Sequence, residues 1–552
     1  MTSRSAWPVV ALVLLWAAHL VHDEAWLAAD TEPLFNDEAN HFRHSVEAAF
    51  YVEHADRLLF KRKSAACAPA NRLETGRPFS SQALQAPIAG PIALVRQIYL
   101  SGSYPPLAYL VAAAPLALAG PDADVAVLAV DAVFLALLFA GLYSLGREFG
   151  GPWTGVLAAA IAGFYPWLGG LARMLLLDLP AAGATALAIA ALLAGRGFAD
   201  RRGSLAFGLA AGLAMLTKHA AAFYLAGPFL LSLRGLTKDP ARRRNLAAAF
   251  LVGFAVAACY YVPRVPAEVK HFAKIRGGGE VEGDLSAREG ANWAFYAVAL
   301  VEQMGPAGAA AFVLALPFLL ARWRGRVGWA GLWFAVPWLF FSLFSNKDLR
   351  YTVPYLPAFA FATAAGLASI PWPRIRGVAI AAVLAVLALA YVHGSWPVLD
   401  RWMAPRYVIA LDARVSLGFH VPIDPEFRPR REDWKTEEIG ALLEADGPPI
   451  GETRVWVLAK AEQVTDALKG REAYRWEEWR HGLAPGGFEF EWEEPGDPDL
   501  VIVPSRFLGN PGTLDRYEEN LSLWAEMKGR YRPVGSVDLP GGLSASVHRR
   551  IR

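Results

Sequence analysis

The chain has 552 residues, of which 55% are apolar and only 19% charged, against roughly 25% charged in an ordinary soluble domain. The charges are unevenly spread: residues 400–552 hold 27 acidic and 21 basic residues, the preceding 399 only 24 and 32. A simple soluble globule is excluded, and no strongly basic surface remains to argue for nucleic acid. Two cysteines, Cys67 and Cys259, can form neither a disulfide framework nor a tetrathiolate metal site. They allow at most one bridge, and free buried thiols are the commoner outcome.

A bilayer core of about 30 Å takes roughly 20 apolar residues in a helix, and such runs recur from Trp7 to Tyr391. The first, Trp7 to about Ala29, is followed by no convincing small-x-small cleavage site and by many further runs, so it reads as a retained helix. The loop of about Asp30–Ser103 is far longer than a connection requires, and long loops of this kind are usually functional. Its acidic, histidine-rich start reads as helix.

Further candidate spans cover about Tyr104–Ala119, Val125–Leu145, Trp153–Leu171, Leu179–Ala194, Leu205–Leu216, Ala220–Leu233, Leu246–Val262, Ala291–Ala321, Val327–Phe344, Thr352–Ile370 and Val378–Val392. Basic residues favour cytoplasmic loops, which places Arg196–Arg202, Arg234–Arg244, Arg322–Arg326 and Arg374–Arg376 inside. Alternation then puts the Thr217–His219 link, a Pro263–Gly290 loop, the Ser345–Arg350 loop and the C-terminal tail outside. The first half of the chain breaks this parity by one span. Trp153–Leu171, interrupted by Tyr165-Pro166, is the expected cause, as two short helices or a re-entrant hairpin. The expected architecture is an all-α polytopic membrane domain of about 11–13 transmembrane helices over residues 1–393, followed by a soluble α/β domain over 394–552. In that tail, β-like runs at Arg454–Leu458, Leu500–Pro504 and Ser544–His548 alternate with helical ones at Glu462–Lys469 and Asp515–Lys528. No P-loop, dinucleotide glycine pattern or zinc spacing occurs there.

Five places hold residues suited to chemistry. Asp37-Glu38, shortly after the first span, offers either a general base with a second binding group or acids that offset a helix dipole. His41 and His44 follow at helical spacing, so Asp37, Glu38, His41 and His44 form either a divalent metal site or one face of a solvated amphipathic helix. Arg173 and Asp178 are charges within an apolar stretch, where ionisable groups mark sites unless they snorkel to the interface. Lys218 interrupts a long apolar region between two short spans, as a cavity ammonium or an ordinary loop lysine. Lys347, Arg350 and Tyr351 lie on the outer side, against the positive-inside trend, where guanidinium and ammonium groups suit a lipid-borne phosphate.

Taken in order, the acidic Asp37-Glu38-Ala39, Tyr104-Pro105-Pro106-Leu107, Arg173 through Asp178-Leu179-Pro180, Leu216-Thr217-Lys218, and Arg350-Tyr351 with Pro354 and Pro357 resemble the GT-C fold membrane glycosyltransferases. The resemblance is specifically to bacterial relatives of protein O-mannosyltransferases and of the lipid A aminoarabinose transferase. The resemblance covers about residues 7–393, and Val534-Gly535-Ser536 through Val547-His548-Arg549-Arg550 is similar to the tails of such proteins. It implies transfer of a sugar from a polyprenyl-phosphate carrier to a glycan, lipid or protein acceptor on the non-cytoplasmic face of a bacterial cell membrane, with inversion. It further implies Asp37 as base, with Glu38 binding acceptor or a metal. Lys218, Arg350 and also Arg173 would hold the leaving phosphate, with Lys347 and Tyr351 beside them. Asp178 would contact the sugar or orient Arg173, and Tyr104 would face sugar or acceptor. Relatives often carry His or Lys before the Pro-Pro, where this chain has Tyr104. No cofactor is required in this reading, and a divalent metal on Asp37, Glu38, His41 and His44 stays open. Two other classes compete. A transporter or flippase would place its ionisable residues at the midplane of two repeats, and no repeat is visible; a non-catalytic assembly protein would use the tail to bind partners.

Overall fold

The computed structural model describes residues 6–32, 34, 37–54, 104–282, 285, 287–344, 347–396, 398, 406–410, 416–420, 427–458, 462–480, 484, 486–491, 496, 498–507 and 514–551; over 406–410, 416–420 and most of 267–282 it describes the backbone alone. Two compact units form. The first comprises Met1–Trp26, Tyr104–Ala108 and Val127–Pro429, the second Leu27–Ser103, Tyr109–Ala126 and Arg430–Arg552. Composition divides the chain near residue 394, whereas packing draws residues after the first span together with the C-terminal region.

The first unit is helical: α1 (Trp7–Leu27), most of α4 (Ala123–Gly150), α5 (Pro152–Gly163), α6 (Pro166–Leu171), α7 (Asp178–Ala194), α8 (Arg201–Met215), α9 (Ala221–Ser232), α10 (Pro240–Glu282), α11 (Gly290–Trp323), α12 (Gly328–Ser342), α13 (Leu356–Ala368) and α14 (Pro373–Ser395). The second holds α2 (Asp37–Glu53) and most of α3 (Leu107–Ala119). Among the described residues five helices are long and apolar enough to cross a membrane by themselves, namely α1, α4, the Pro240–Pro266 part of α10, α11 and α14. With shorter apolar helices beside them, the chain is a multi-pass membrane protein. Helices approach closely through small residues, as packing in lipid favours: a Cβ on Gly155 would collide with the backbone of Tyr143, and one on Gly208 with the carbonyl of Ala249.

Hydrogen bonds and ring contacts sort the helix ends. Asn245 on α10 donates to the carbonyl of Phe198, Arg326 lies over the Phe149 ring, Trp323 donates to Ser369, and Gly328 lies against Leu231, so all the basic loops share one end. At the other end Leu107 N–H donates to Leu216, Tyr261 to Met215 and Asn292 to Ser342. The chain therefore starts α4 at the end opposite Arg326. Trp153–Leu171 is broken at Tyr165-Pro166 into α5 and α6, the two short helices that its sequence allows.

Two further expectations change. The Pro263–Gly290 loop is helical through Glu282, with Pro263 and Pro266 inside α10. Cys259 is exposed on the same helix and not buried, and Cys67 lies outside the described residues.

In the second unit a five-stranded sheet runs in the order β4-β3-β5-β7-β6, from β3 (Gly451–Val457), β4 (Gly486–Glu491), β5 (Leu500–Pro504), β6 (Tyr531–Leu539) and β7 (Leu543–Arg550). The neighbours β4, β3 and β5 are parallel, and β7 pairs antiparallel with both β5 and β6. The sheet packs with α15 (Thr436–Leu443), α16 (Glu462–Arg471) and α18 (Leu514–Met527) around Trp456, Ile439, Leu468 and Ile502, all fully buried. In the first unit a separate hairpin pairs β1 (Arg406–Ala410) with β2 (Ser416–His420). Helix α17 (Ala473–Arg480) carries Tyr474 and Glu477, which bond Glu53 (2.5 Å) and Tyr51 (3.3 Å) of α2. Fixing α2 in this way positions Asp37 and Glu38.

Candidate active site

Asp178 opens α7, where a carboxylate is favoured by the helix dipole. Its Oδ1 accepts from Lys218 Nζ at 2.6 Å, with 2% and 14% of the two side chains exposed. Lys218 stands in the short α8–α9 link, held by the turn bond from Thr217 Oγ1 to the carbonyl of Ala214 at 2.7 Å. The ammonium lies 5.7 Å from the centre of the Tyr351 ring, a cation–π distance. Next in sequence, His219 meets the Tyr104 ring at 6.0 Å.

Tyr351 belongs to a 3₁₀ helix, Leu349–Tyr355, that enters α13. Asp348 caps it: its Oδ1 accepts from Arg350 N–H at 2.8 Å, while Oδ2 takes both Arg350 Nε (2.8 Å) and Nη2 (2.6 Å). Tyr224 on α9 donates to the Tyr351 carbonyl, and Gln303 on α11 donates to Thr352 Oγ1 at 2.8 Å. Lys347 Nζ donates to the carbonyls of Phe341 (2.8 Å) and Phe344 and sits 5.6 Å from the Tyr296 ring. Lys218, Asp178, Tyr351, Arg350 and Tyr104 thus gather at the helix ends opposite the basic loops.

Arg173 is not among them. It is buried and donates from Nε to Asp23 Oδ1 at 2.8 Å, with 2% and 1% of the side chains exposed, and its guanidinium lies over Tyr391 and Trp26. Asp178 accordingly orients Lys218 and not Arg173. The Asp23 cluster was not anticipated: Tyr391 Oη stands 3.2 Å from Asp23 Oδ1, 3.0 Å from His22 Nδ1 and 3.1 Å from His19 Nδ1. Asp131 of α4 is also buried. The available signal was His19, His22 and Asp23 at helical spacing within an apolar run.

Asp37 and Glu38 form the first turn of α2, in the second unit, and Glu38 is buried. His41 Nδ1 stands 2.8 Å from Tyr109 Oη and His44 Nδ1 3.4 Å from Glu47 Oε2, with both rings against Tyr109. Among the described residues no three His, Cys, Asp or Glu side chains are grouped to hold a metal.

Comparison with known proteins adds to this geometry. The description "Dolichyl-phosphate-mannose-protein mannosyltransferase" belongs to the family whose model matches residues 103–265. No curated protein sequence matches the chain. Among solved structures, ArnT from Cupriavidus metallidurans in the apo state superposes with a TM-score of 0.54 at 14% identity, covering 98% of each chain. The same enzyme bound to undecaprenyl phosphate gives 0.52 at 14% identity over 99% of each. The chain has the GT-C fold. Archaeal oligosaccharyltransferase AglB from Archaeoglobus fulgidus, in complex with an inhibitory peptide and a dolichol-phosphate, matches at 0.50 and 12% identity, over 98% of this chain and 74% of its own. The matched segment 103–265 of this GT-C chain contains Tyr104, Asp178 and Lys218.

Proposed function

We propose that the chain is a membrane glycosyltransferase that moves a sugar from a polyprenyl-phosphate carrier to a hydroxyl of an envelope glycan, lipid or protein, with inversion. The reaction takes place on the non-cytoplasmic face of a bacterial cell membrane, and the C-terminal α/β region lies on that face. The observation that carries this reading is the Asp178–Lys218 pair beside Tyr351 and the Asp348–Arg350 pair, a cationic cluster at the end of GT-C helices away from the basic loops. The undecaprenyl phosphate bound to ArnT and the dolichol-phosphate bound to AglB support a lipid-phosphate carrier.

In this reaction the acceptor oxygen bonds to the anomeric carbon as the bond from that carbon to the phosphate oxygen breaks. The acceptor proton passes to Asp37, and Glu38 binds the acceptor. The bonding electrons leave on the lipid phosphate, so the main task is to stabilise its developing charge. Lys218 and Arg350 meet that charge, Lys347 adds to the local positive potential, and Asp178 keeps the Lys218 ammonium aimed. Tyr104 and Tyr351 border the sugar. No cofactor is required.

The test is transfer from a purified polyprenyl-phosphate sugar to an envelope extract by the protein in liposomes. Asp37→Asn should lower turnover by about 10²–10⁴, the usual worth of a general base, with melting in detergent close to wild type. An Asp37→Asn protein that keeps most of its activity would move the base elsewhere. Absence of any transfer by the wild-type protein would favour a flippase or an assembly role.

A further inference from the structure

At the helix ends opposite the proposed phosphate cluster, a groove of about 470 Å³ opens between α9, the 3₁₀ turn Leu236–Lys238 and the start of α10. Its lining is apolar apart from Arg243: Phe229, Leu236, Leu246, Ala247, Phe250 and Leu251 supply the rest. Phe250 and Leu251 are 68% and 65% exposed, an apolar face turned outward on a membrane helix.

Charge is concentrated at one end of this groove. Residues 243–251 cover a little over two turns of α10, and Arg243 stands at the end nearer the helix start, next to Arg244 and close in sequence to Arg234 and Lys238. Asp239 already serves the helix N-terminus, accepting from Ala241 N–H at 2.9 Å and Arg242 N–H at 3.3 Å. Arg242 is engaged by Asp239 and by the carbonyl of Arg234. Arg243 and Arg244 are exposed and bind no carboxylate among the described residues.

We propose that this groove binds an anionic phospholipid of the leaflet on the basic-loop side, with an acyl chain along Leu246, Phe250 and Phe229 and the phosphate on Arg243. The argument is charge complementarity. A basic side chain at the membrane surface attracts anionic headgroups, and an apolar channel running from it into the helix face takes the chain that such a headgroup carries. This lipid is distinct from the polyprenyl-phosphate donor, whose proposed contacts lie at the far ends of the same helices.

The test uses the full-length protein, delipidated in detergent, with phosphatidylglycerol or phosphatidylcholine added and binding read by native mass spectrometry and by thermal shift. Phosphatidylglycerol should bind and raise the melting temperature, and phosphatidylcholine should do neither. Arg243→Gln should weaken phosphatidylglycerol binding about fivefold, as expected for one basic contact near anionic lipid. Leu246→Trp, which fills the groove and leaves every charge in place, should weaken it as well. Equal response to the two lipids, or binding retained in both variants, would overturn the site. Loss in Arg350→Lys with retention in Arg243→Gln would place the lipid at the donor cluster and would equally overturn it.

Discussion

Arg350 and Arg173 are the same residue type in similar sequence surroundings, and they have opposite fates. Arg350 is about a quarter exposed and pairs with Asp348, which is itself about a quarter exposed, so its guanidinium borders solvent where a phosphate can reach it. Arg173 is enclosed with Asp23, where loss of one partner from a buried ion pair is costly. Arg350→Lys keeps the charge and loses the planar fork. Removal of a hydrogen bond to a charged group, about 1.5–3 kcal/mol, should raise KM for the polyprenyl-phosphate sugar about tenfold or more. Initial rates at matched folded protein measure this, and wild-type kinetics would remove Arg350 from the site. Sequence spacing marked both arginines as unusual but gave no means of telling them apart, because the partner of Arg173 lies 150 positions away. Asp30 offers a different check. It accepts from Arg430 N–H at 2.6 Å, and burial pushes its carboxyl up to about 6 from the ordinary 3.8. The folded state therefore retains a proton that the unfolded chain releases, and stability falls as pH rises from about 4 through about 6. Glu32 is shifted in the same direction by burial. Asp30→Asn keeps the acceptor and removes the charge, so its melting temperature should vary less than that of wild type between pH 4 and 6. An unchanged slope would contradict the assignment.

At the scale of elements, hydrophobic period and punctuation located most helices within a few residues but misjudged how proline acts. Pro263 and Pro266 read as the end of a span, yet α10 passes through both, since neighbouring groups can satisfy the carbonyls that a proline frees. Tyr165-Pro166 does separate two helices, and its proline starts α6. The strands Arg454–Leu458, Leu500–Pro504 and Ser544–His548 were legible from β-branched and aromatic residues. Strand β6 was not, because it contains Pro533 and Gly535 at an irregularity in its pairing with β7. In α11 the break falls at Gly305, with φ 69° and ψ 153°, just before Pro306. This backbone region is essentially restricted to glycine, and a Cβ there would also approach Pro166 Cγ at 3.2 Å. Gly305→Ala should cost about 1–3 kcal/mol, from backbone strain of this class. It should appear as a lower melting temperature in detergent. A melting temperature equal to wild type would show that α11 can straighten at no cost.

For the whole molecule, the direction of each helix decides what the composition left ambiguous. Helix α7 runs from Asp178 at the proposed site to Ala194 at the Arg196–Arg202 loop, a rise of about 25 Å for 17 residues. The cationic cluster and the basic loops are therefore separated by nearly the thickness of a bilayer core. Helix α14 starts at Arg374–Arg376, on the basic side, and brings Tyr391 to Arg173, five residues before α7 begins on the other side. The chain after Ser395 consequently leaves the helices at the end where Lys218 and Tyr351 lie. If basic loops stay in the cytoplasm, residues 396–552 stand outside, and so does the proposed chemistry. A reporter that fluoresces only in the cytoplasm, fused after residue 552, should be dark, and the same reporter inserted after Lys238 should be bright. The opposite pattern would invert every crossing together, since the helix directions are fixed relative to one another. It would place the lipid-phosphate cluster in the cytoplasmic leaflet, where a donor sugar would need no transfer across the membrane before use.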